Sequence, residues 1–569
     1  MKDLLQRLVP IPREILLVGS GGLWREASLQ QSLVGDLGSE GYRISASGTS
    51  ILIEASGDKG FFYARQTITQ LRRITGGSYP GFRISDAPAF PIRGYMLDIS
   101  RCKVPRMEQL FHLVDLLALF KFNQLQLYTE HTFAYEGHET VWNDASPMTP
   151  GEVRELEKYC SSRYIELVPN QNAFGHMERW LRHPQYRHLA ESPDGFEHPV
   201  AGWKPHGSVL RPGPDSIAFV SGLLEQLLPC FNSEFIHLGC DEPWELGQGL
   251  SSERVERDGR HAVYKEHLLA LHDLVSQHNR RMLFWSDELR GEPSRIREFP
   301  SDMIPVVWGY EGDHDFDTEC AAYAAADHPF LIAPGDSSWN SFSGRLVTAL
   351  RNIEKAVEAA QRHKAEGLLL TSWGDQGHQQ TWPAQLPGLV CFAAGAWNPS
   401  GLPQLAIDKA LDQIVFQDTS GQLGKFWVKL ARLDSHLPGE LHVPNSSFPY
   451  DAVYASKSHL RHLVRHLDHD VFFPALSQLE DCAKQLDRAS PACADGDTLL
   501  EESNLALEMT RAALKRAETM LKEGNGTFPS DEWMLLAHRF RKVWLMRNRE
   551  GGLEESLSRL RLESPHNHA

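Results

Sequence analysis

The feature of this sequence that most constrains its fold is an alternation of short apolar runs and amphipathic helical segments between residues 92 and 372. Eight runs are short and mostly continuously apolar, which is typical of parallel strands covered on both faces. They lie at 92–99, 123–129, 165–170, 234–239, 281–285, 304–309, 330–333 and 367–372. Helical periodicity is clear at 107–120, 217–228, 264–277 and 345–364. Eight strand–helix units over roughly 300 residues predict an α/β fold, a closed (β/α)₈ barrel.

The stretches on either side of the repeat have other patterns. Residues 1–87 predict a small α+β domain, with strands at 14–19, 42–47 and 50–55 and a helix at 61–73. The barrel is expected to span 88–400. Residues 401–569 predict an α-helical domain, with helices at 407–416, 459–467, 499–522 and 532–549. An open doubly wound sheet is the alternative to the barrel, but the residues after the first strand, Ser100 to Lys103, lack its usual glycine-rich phosphate loop.

Charge and cysteine usage narrow the choice of partner and compartment. The formal net charge is −17, which argues against nucleic acid or an anionic membrane as the main partner. No apolar run approaches the ~20 residues of a membrane span, and the first 17 residues do not resemble a secretory signal. The eight cysteines are scattered singly, which favours reduced thiols over a disulfide framework. We therefore expect a cytoplasmic protein, and the helical C-terminal domain offers a surface for a homodimer.

Polar and aromatic residues recur where the predicted strands end. In a (β/α)₈ barrel the active site lies at the carboxyl ends of the strands. In strand order, the residues there are Asp98 and Arg101; Tyr128, Glu130 and His131; Asn170, Asn172 and His176; His237, Asp241 and Glu242; Trp285, Asp287 and Glu288; Trp308, Tyr310 and Glu311; Asp336 and Trp339; Trp373 and Asp375. Carboxylates can act on a glycosidic bond, and indoles form walls for the apolar faces of sugar rings. The pattern predicts a carbohydrate site.

The strongest single element is the stretch from His237 to Glu242. It places an Asp-Glu pair directly after an apolar strand and a glycine, where solvated charge is not expected. With this motif the sequence resembles glycoside hydrolase family 20, the β-N-acetylhexosaminidases, and among them the bacterial N-acetylglucosaminidase and hexosaminidase D branch. The other matching stretches are 93–101 (RGYMLDISR), 121–127 (KFNQLQL), 175–176 (GH), 285–288 (WSDE) and 372–375 (SWGD). The resemblance covers about residues 1 to 400.

The resemblance implies a mechanism and the residues that perform it. The 2-acetamido oxygen of the substrate is the nucleophile, so no protein nucleophile is needed. Glu242 is implied as the general acid and base, and Asp241 as the residue that orients the acetamido group and stabilises the oxazolinium intermediate. The negative charge of Asp241 would help to raise the pKa of Glu242. Neither a cofactor nor a metal is implied.

The resemblance also implies the residues that bind the sugar. Arg93 and Asp375 are expected to hold outer hydroxyls, and Glu130 falls where the family usually has Asp. His176 and His237 match positions behind the site. Trp285, Trp308 and Trp373 match the indoles that enclose the acetamido group and the sugar face. One departure concerns the usual acetamido-binding Tyr after the seventh strand, because Trp339 aligns there. Either its indole or the hydroxyl of Tyr310 is expected to replace that Tyr.

Plainer interpretations stand beside these assignments. Arg93 and Asp98 would also make a structural ion pair at the barrel base, and His176 would also serve as a core histidine. A rival function is a metal-dependent hydrolase on the same barrel, with ligands from His176, His237, Asp241 and Glu242. A third is a catalytically silent sugar-binding protein, against which the intact Asp-Glu pair argues.

Overall fold

The computed structural model describes residues 6–199, 202–437, 441–468 and 470–560 of the 569-residue chain. The first predicted domain also includes residues 1–5, the second includes 200–201, and the third includes 438–440, 469 and 561–569; these lie outside the described residues.

The N-terminal region folds into an α+β unit. A helix packs on one face of a five-stranded sheet with the strand order β1-β7-β4-β5-β3, and β2 and β6 form a separate antiparallel pair. The elements are β1 (Glu14–Leu17), β2 (Gly22–Leu23), β3 (Ser28–Leu33), β4 (Tyr42–Ser47), β5 (Ser50–Ala55), α1 (Asp58–Thr75), β6 (Ser78–Tyr79) and β7 (Phe82–Asp86). The alternating residues of β4 and β5 bury one side of each strand against α1, as period-two patterning requires.

A parallel eight-stranded sheet follows, and it confirms the predicted barrel. Its order is β10-β9-β8-β17-β16-β15-β14-β13, and a parallel bridge from Asn170 to His237 closes the ring. The strands from here on are β8 (Ile92–Asp98), β9 (Gln124–Tyr128), β10 (Glu166–Val168), the hairpin β11 (Phe196–His198) and β12 (Gly202–Lys204), then β13 (Phe235–His237), β14 (Arg281–Trp285), β15 (Ile304–Trp308), β16 (Leu331–Ala333) and β17 (Gly367–Ser372).

Helices cover the outside of the barrel. They are α2 (Met107–Leu119), α3 (Glu139–Trp142), α4 (Pro150–Ser161), α5 (Glu178–Leu181), α6 (Pro214–Leu227), α7 (Ser252–Asp258), α8 (Arg260–Gln277), α9 (Phe316–Ala325), α10 (Leu346–His363) and α11 (Leu386–Trp397). The fifth unit has two 3₁₀ segments, Asp287–Leu289 and Pro293–Glu298, in place of an α-helix.

Strand alternation divides the barrel residues between two cores. On β8, Tyr95 and Leu97 face the helices, whereas Met96 joins the apolar residues that fill the interior. Asp98 has the same parity as Met96 and therefore points inward at the carboxyl end of the strand. This end of the barrel is where the candidate site lies.

The C-terminal region is helical over the residues that the structure describes. Its α-helices are α12 (Ile407–Ala410), α13 (Leu423–Leu430), α14 (Phe448–Tyr454), α15 (Lys457–Val464), α16 (Phe472–Leu486), α17 (Gly496–Glu523), α18 (Ser530–Arg547) and α19 (Leu553–Leu560). Helix α12 continues as the π-helical turn Leu411–Phe416. Among the described helices, none is both long and apolar enough to cross a membrane.

Candidate active site

The Asp241–Glu242 pair lies in a tight turn after β13. Gly239, Cys240 and Glu242 all have left-handed backbones, with φ of 68°, 69° and 49°. A β-carbon at Gly239 would collide with the side-chain oxygen of Asn172, and the same atom at Gly175 would collide with the carbonyl oxygen of Asp241. The two glycines therefore let the turn pack against the loop after β10 and aim both carboxylates into the cleft.

Asp241 is held by His176 and keeps one oxygen unpaired. Its Oδ2 lies 3.1 Å from Nε2 of His176, while its Oδ1 is buried and has no hydrogen-bond partner among the residues that the structure describes. Burial lowers the pKa of His176, but the Asp241 charge outweighs this and raises it to about 9. Burial raises the pKa of Asp241, yet His176 and Arg101 hold it below its ordinary value. At neutral pH the two groups form a buried ion pair.

Glu242 is in a different electrostatic position from its neighbour. Burial and the Asp241 charge raise the pKa of Glu242 above its usual value, although His176 at 3.6 Å opposes the shift. Its side chain is 33% exposed, so it opens into the cleft. Its backbone N–H donates to Oδ2 of Asp287 at 3.0 Å, and this fixes the turn. One carboxylate is thus kept ionised and the other is kept closer to protonation.

Arg101 projects into the cleft and is oriented by two carboxylates. Its Nη1 donates to Asp98 at 3.0 Å, and its Nε lies 3.1 Å from Oε1 of Glu130. The guanidinium also lies over the rings of Tyr128 and Trp373, 4.5 and 5.1 Å from their centroids. Glu130 therefore contacts Arg101 and lies behind the cleft rather than in its wall. Arg101 was predicted to lie at a strand end, but no role was predicted for it.

Asp375 faces the same part of the cleft from β17. Its Oδ2 accepts a hydrogen bond from Nδ2 of Asn340 at 3.1 Å. Burial raises the pKa of Asp375 to about 6. The Oδ1 of Asn340 is buried and has no partner among the described residues. Asn340 is a second residue that the sequence analysis left out of the site.

Tyr310 and four of the five tryptophans that line the cleft lie around these polar groups, and the fifth is Trp244. Trp285 and Trp373 lie 5.8 Å apart between centroids, and Trp308 stacks on Tyr310 at 5.3 Å. Trp339 meets the edge of Tyr310 at 5.1 Å. The rings line an open cleft of about 380 Å³, which is within the size range of small-ligand sites and is large enough for a sugar ring. Both candidates for the acetamido-binding position, Tyr310 and Trp339, line this cleft.

Arg93 lies outside the cleft, and this corrects its expected contact with a sugar. It is the second residue of β8, and its side chain points to the outside of the barrel at the opposite end from the acid pair. Its Nη1 pairs with Glu40 at 2.9 Å, and its Nε donates to the Lys121 carbonyl. Five residues of strand separate it from Asp98, or roughly 17 Å. Arg101 takes its place in the candidate site.

The remaining predicted neighbours support the turn or lie behind it. His237 is fully buried, with Nδ1 3.1 Å from Nδ2 of Asn170, and burial lowers its pKa to about 3. Glu288 forms an ion pair with Arg260 at 2.8 Å. Within the described parts of the chain, no three His, Cys, Asp or Glu side chains gather as metal ligands would.

Comparison with known proteins relates the sequence of this chain to a glycosyl hydrolase family. Residues 90–366 match the model of the glycosyl hydrolase family 20 catalytic domain, and residues 8–87 match domain 2 of the same family. A beta-hexosaminidase of Porphyromonas gingivalis is 26% identical over 52% of this chain and 40% of its own length. Bovine hexosaminidase D is 26% identical over 51% of this chain and 88% of its own length.

Solved structures share the fold at low sequence identity. The family 20 exo β-N-acetylglucosaminidase of Vibrio harveyi, in complex with N-acetylglucosamine, has a TM-score of 0.56 and 18% identity over 69% of this chain and 74% of its own. A Streptomyces plicatus beta-hexosaminidase mutant in complex with its product has a TM-score of 0.55 and 17% identity over 72% of this chain and 95% of its own.

Proposed function

The chain belongs to glycosyl hydrolase family 20, and we propose that it is a retaining exo-β-N-acetylhexosaminidase. The reaction removes a terminal, non-reducing, β-linked N-acetylglucosamine or N-acetylgalactosamine from a carbohydrate substrate. It proceeds by substrate-assisted catalysis through an oxazolinium intermediate.

One observation carries the proposal. Over the described part of the chain, the Oδ1 of Asp241 is a buried acceptor with no partner, and Asp241 lines the cleft beside the general-acid candidate. A buried acceptor without a donor costs roughly 1–3 kcal/mol, and an acetamido N–H of the substrate would relieve that cost. His176 holds the other oxygen, so Asp241 presents Oδ1 in a fixed direction.

Each step then follows from the charges of the pair. Glu242 donates its proton to the glycosidic oxygen while the substrate's acetamido oxygen attacks the anomeric carbon, and the bond to the leaving group breaks. Asp241 accepts the acetamido N–H and stabilises the positive charge of the oxazolinium ring. Glu242, now ionised, takes a proton from water, which attacks the anomeric carbon from the side that the leaving group vacated. Two inversions give overall retention, and Glu242 regains its proton.

The other cleft residues hold the terminal sugar. Arg101 and Asp375 provide a donor and an acceptor for its outer hydroxyls, and the indoles enclose its faces. For the acetamido oxygen we propose the hydroxyl of Tyr310 as donor, because Tyr310 lies near enough to Asp241 for the two to influence each other's charge.

The test is hydrolysis of p-nitrophenyl N-acetyl-β-glucosaminide by wild type, Glu242→Gln and Asp241→Asn. We expect wild type to cleave, and each variant to lose on the order of 10²–10⁴-fold in kcat. The p-nitrophenyl galacto analogue, run in parallel, reports the preference at O4. Full activity of Glu242→Gln would reject the mechanism.

The same assay separates the rival functions. Loss of wild-type activity on treatment with a chelator would favour a metal-dependent hydrolase. Sugar binding without turnover of either substrate would favour a silent binding protein. A cytoplasmic location is also proposed, since none of the eight cysteines forms a disulfide. A homodimer through the C-terminal helices stays a prediction, which light scattering would test.

A further inference from the structure

The leaving-group side of the cleft contains a positive charge that the proposed chemistry does not use. The general acid protonates the glycosidic oxygen, so the leaving group must extend from Glu242 toward the cleft mouth. Beyond Glu242 the wall is formed by Trp244, His198 and Lys204. None of the three belongs to the aromatic enclosure around the terminal sugar.

These three residues come from two segments that meet beside the acid. Trp244 follows Glu242 by two residues, and its ring lies 5.9 Å from that of His198 at a steep angle. His198 and Lys204 are on the two strands of the β11–β12 hairpin. The pairs Phe196–Lys204 and His198–Gly202 define its register, so His198 and Lys204 project from the same face, which is turned to the cleft. Glu197 and Trp203 project from the other face.

Within the described ranges, Lys204 differs from the other cations of the cleft in having no ion-pair partner. Arg101 pairs with Asp98 and Glu130, and His176 pairs with Asp241. Among the described residues, no carboxylate lies within ion-pair distance of the Lys204 ammonium. Burial and the Lys204 charge lower the pKa of His198, so its imidazole is neutral at neutral pH and Lys204 carries the positive charge of this wall.

From this placement we infer that Trp244, His198 and Lys204 form a subsite for a leaving group that carries a negative charge. The indole provides an apolar wall for a sugar ring, and Lys204 provides a counter-charge for a carboxylate or a sulfate on that ring. The inference rests on the proposed hydrolase function and adds the chemical class of the leaving group to it.

The experiment compares three disaccharides with the same terminal sugar. In each, N-acetylglucosamine is β1,4-linked to a second N-acetylglucosamine, which is unmodified, carries a lactyl carboxylate on O3, or carries a sulfate ester on O6. The quantity measured is kcat/KM for each anionic disaccharide divided by kcat/KM for the neutral one. We expect this ratio to exceed unity for at least one anionic disaccharide, by roughly three- to tenfold at low salt, and to fall toward one at high ionic strength.

Variants of Lys204 identify the charge responsible. Lys204→Gln should lower the ratio to about one, Lys204→Arg should retain it, and Lys204→Glu should invert it. Lys158→Gln, which removes an exposed lysine on α4 far from the cleft, is the matched control and should keep the wild-type ratio. The anionic disaccharide whose kcat/KM ratio exceeds one shows whether the subsite binds a carboxylate or a sulfate.

The outcomes separate this inference from the function on which it rests. If neither the disaccharides nor p-nitrophenyl N-acetyl-β-glucosaminide is cleaved, the hydrolase proposal and the inference both fail. If the aryl substrate alone is cleaved, only the inference fails. If all are cleaved with a ratio near one in wild type, only the inference fails. An equal loss on neutral and anionic disaccharides in Lys204→Gln would also overturn it, because that result would mean that Lys204 acts on Glu242 rather than on the leaving group.

Discussion

At the scale of single residues, the charge of His176 decides how the acid pair is set. Its pKa, raised to about 9, makes it a cation at neutral pH, and that cation keeps Asp241 ionised. Without it, the Asp241 charge would be unpaired in a buried site. Two predictions follow from the single substitution His176→Gln, which keeps a donor near Oδ2 but removes the charge.

The first consequence concerns stability against pH. Since the folded pKa of about 9 exceeds the unfolded value of about 6.5, the ion pair contributes its full stability below pH 6.5 and loses it as the pH rises through 9. The difference in unfolding free energy between wild type and His176→Gln should therefore shrink by about 3 kcal/mol from pH 6 to pH 10. Any strain from the left-handed backbone at position 176 is constant with pH and cancels.

Urea denaturation at both pH values measures this difference, and His188→Gln, an exposed histidine, is the control. A difference in unfolding free energy between wild type and His176→Gln that stays the same at pH 6 and pH 10 would mean that His176 is neutral.

The second consequence is kinetic: without the cation the pKa of Asp241 rises, so the acid limb of kcat/KM should move to higher pH.

Arg93, on the first barrel strand, and Arg101, just after that strand, show where residue-level prediction succeeds and fails. Both are in the family-like stretch 93–101, and the resemblance was used to assign the sugar contact to Arg93 and no role to Arg101. Strand geometry does distinguish them. Arg93 lies five positions before Asp98, whose side chain points into the barrel, so the side chain of Arg93 points outward. Arg101 lies beyond the end of the strand. Asn340 was not predictable, since its contact with Asp375 joins two loops distant in sequence.

At the scale of elements, a loop of the C-terminal region is tied to the active-site loops of the barrel. The side-chain Nδ2 of Asn340 donates both to Asp375 and to the Pro444 carbonyl at 3.1 Å. The main-chain carbonyl of Asn340 accepts a hydrogen bond from the Ser447 N–H at 2.9 Å. Residues 443–445 also line the cleft. The helical region thus forms part of the wall of the barrel's site.

Substitution of Asn340 by Gly keeps the left-handed backbone and removes the donor. Because burial raises the pKa of Asp375 to about 6 and the Asn340 donor opposes that rise, its loss should raise the pKa further. We expect kcat/KM to fall about tenfold, a typical effect of losing one hydrogen bond to a charged group, and the acid limb to move above pH 6. A pH–rate profile measures both effects.

The control for this variant is Asn445→Gly, which removes another left-handed asparagine of the cleft wall that makes no bond to Asp375. It should leave the position of the acid limb unchanged. Equal shifts in both variants would assign the effect to loosening of the loop instead of to the Asn340 hydrogen bond.

Prediction of elements was most accurate where pattern and burial agree. The buried strands β14 and β17 match their predicted bounds, and β8 ends one residue early. The exposed strand β3 was missed, because none of its six residues is buried and its apolar pattern is weak. Helix α16 was also missed, although its helical pattern buries five residues against its neighbours.

At the scale of the whole molecule, apolar packing makes the regions continuous. One hydrophobic core runs from the barrel helices into the C-terminal helices, and a second joins the N-terminal sheet to Trp397 at the end of α11. The fold class was predictable because eight repeated units specify a barrel. The predicted boundaries near residues 87 and 400 stay predictions, since no break in packing marks them.

A buried charge cluster adds a polar element to the second of these junctions, between the N-terminal sheet and the end of α11. Asp86, at the end of β7, accepts hydrogen bonds from Lys121 at 3.0 Å, Tyr42 at 2.5 Å and the Trp397 indole at 2.9 Å. Lys121 is 1% exposed, and burial lowers its pKa. The cluster therefore links the N-terminal sheet, the turn after α2 and the end of α11, at the opposite end of the barrel from the acid pair.

Removal of Asp86 should expose how much the whole molecule depends on this junction. Asp86→Ala leaves the Lys121 ammonium buried without its counter-charge, and we expect a loss of about 3–5 kcal/mol in unfolding free energy. Asp36→Ala breaks the exposed pair with Arg43 on the same sheet and should cost only about 0–1 kcal/mol. Denaturant unfolding of both variants measures the contrast, and the kcat of Asp86→Ala at low temperature should match wild type because the cluster is remote from the cleft. Equal costs for the two variants would mean that the junction is held by apolar packing alone and that the buried charges add nothing to it.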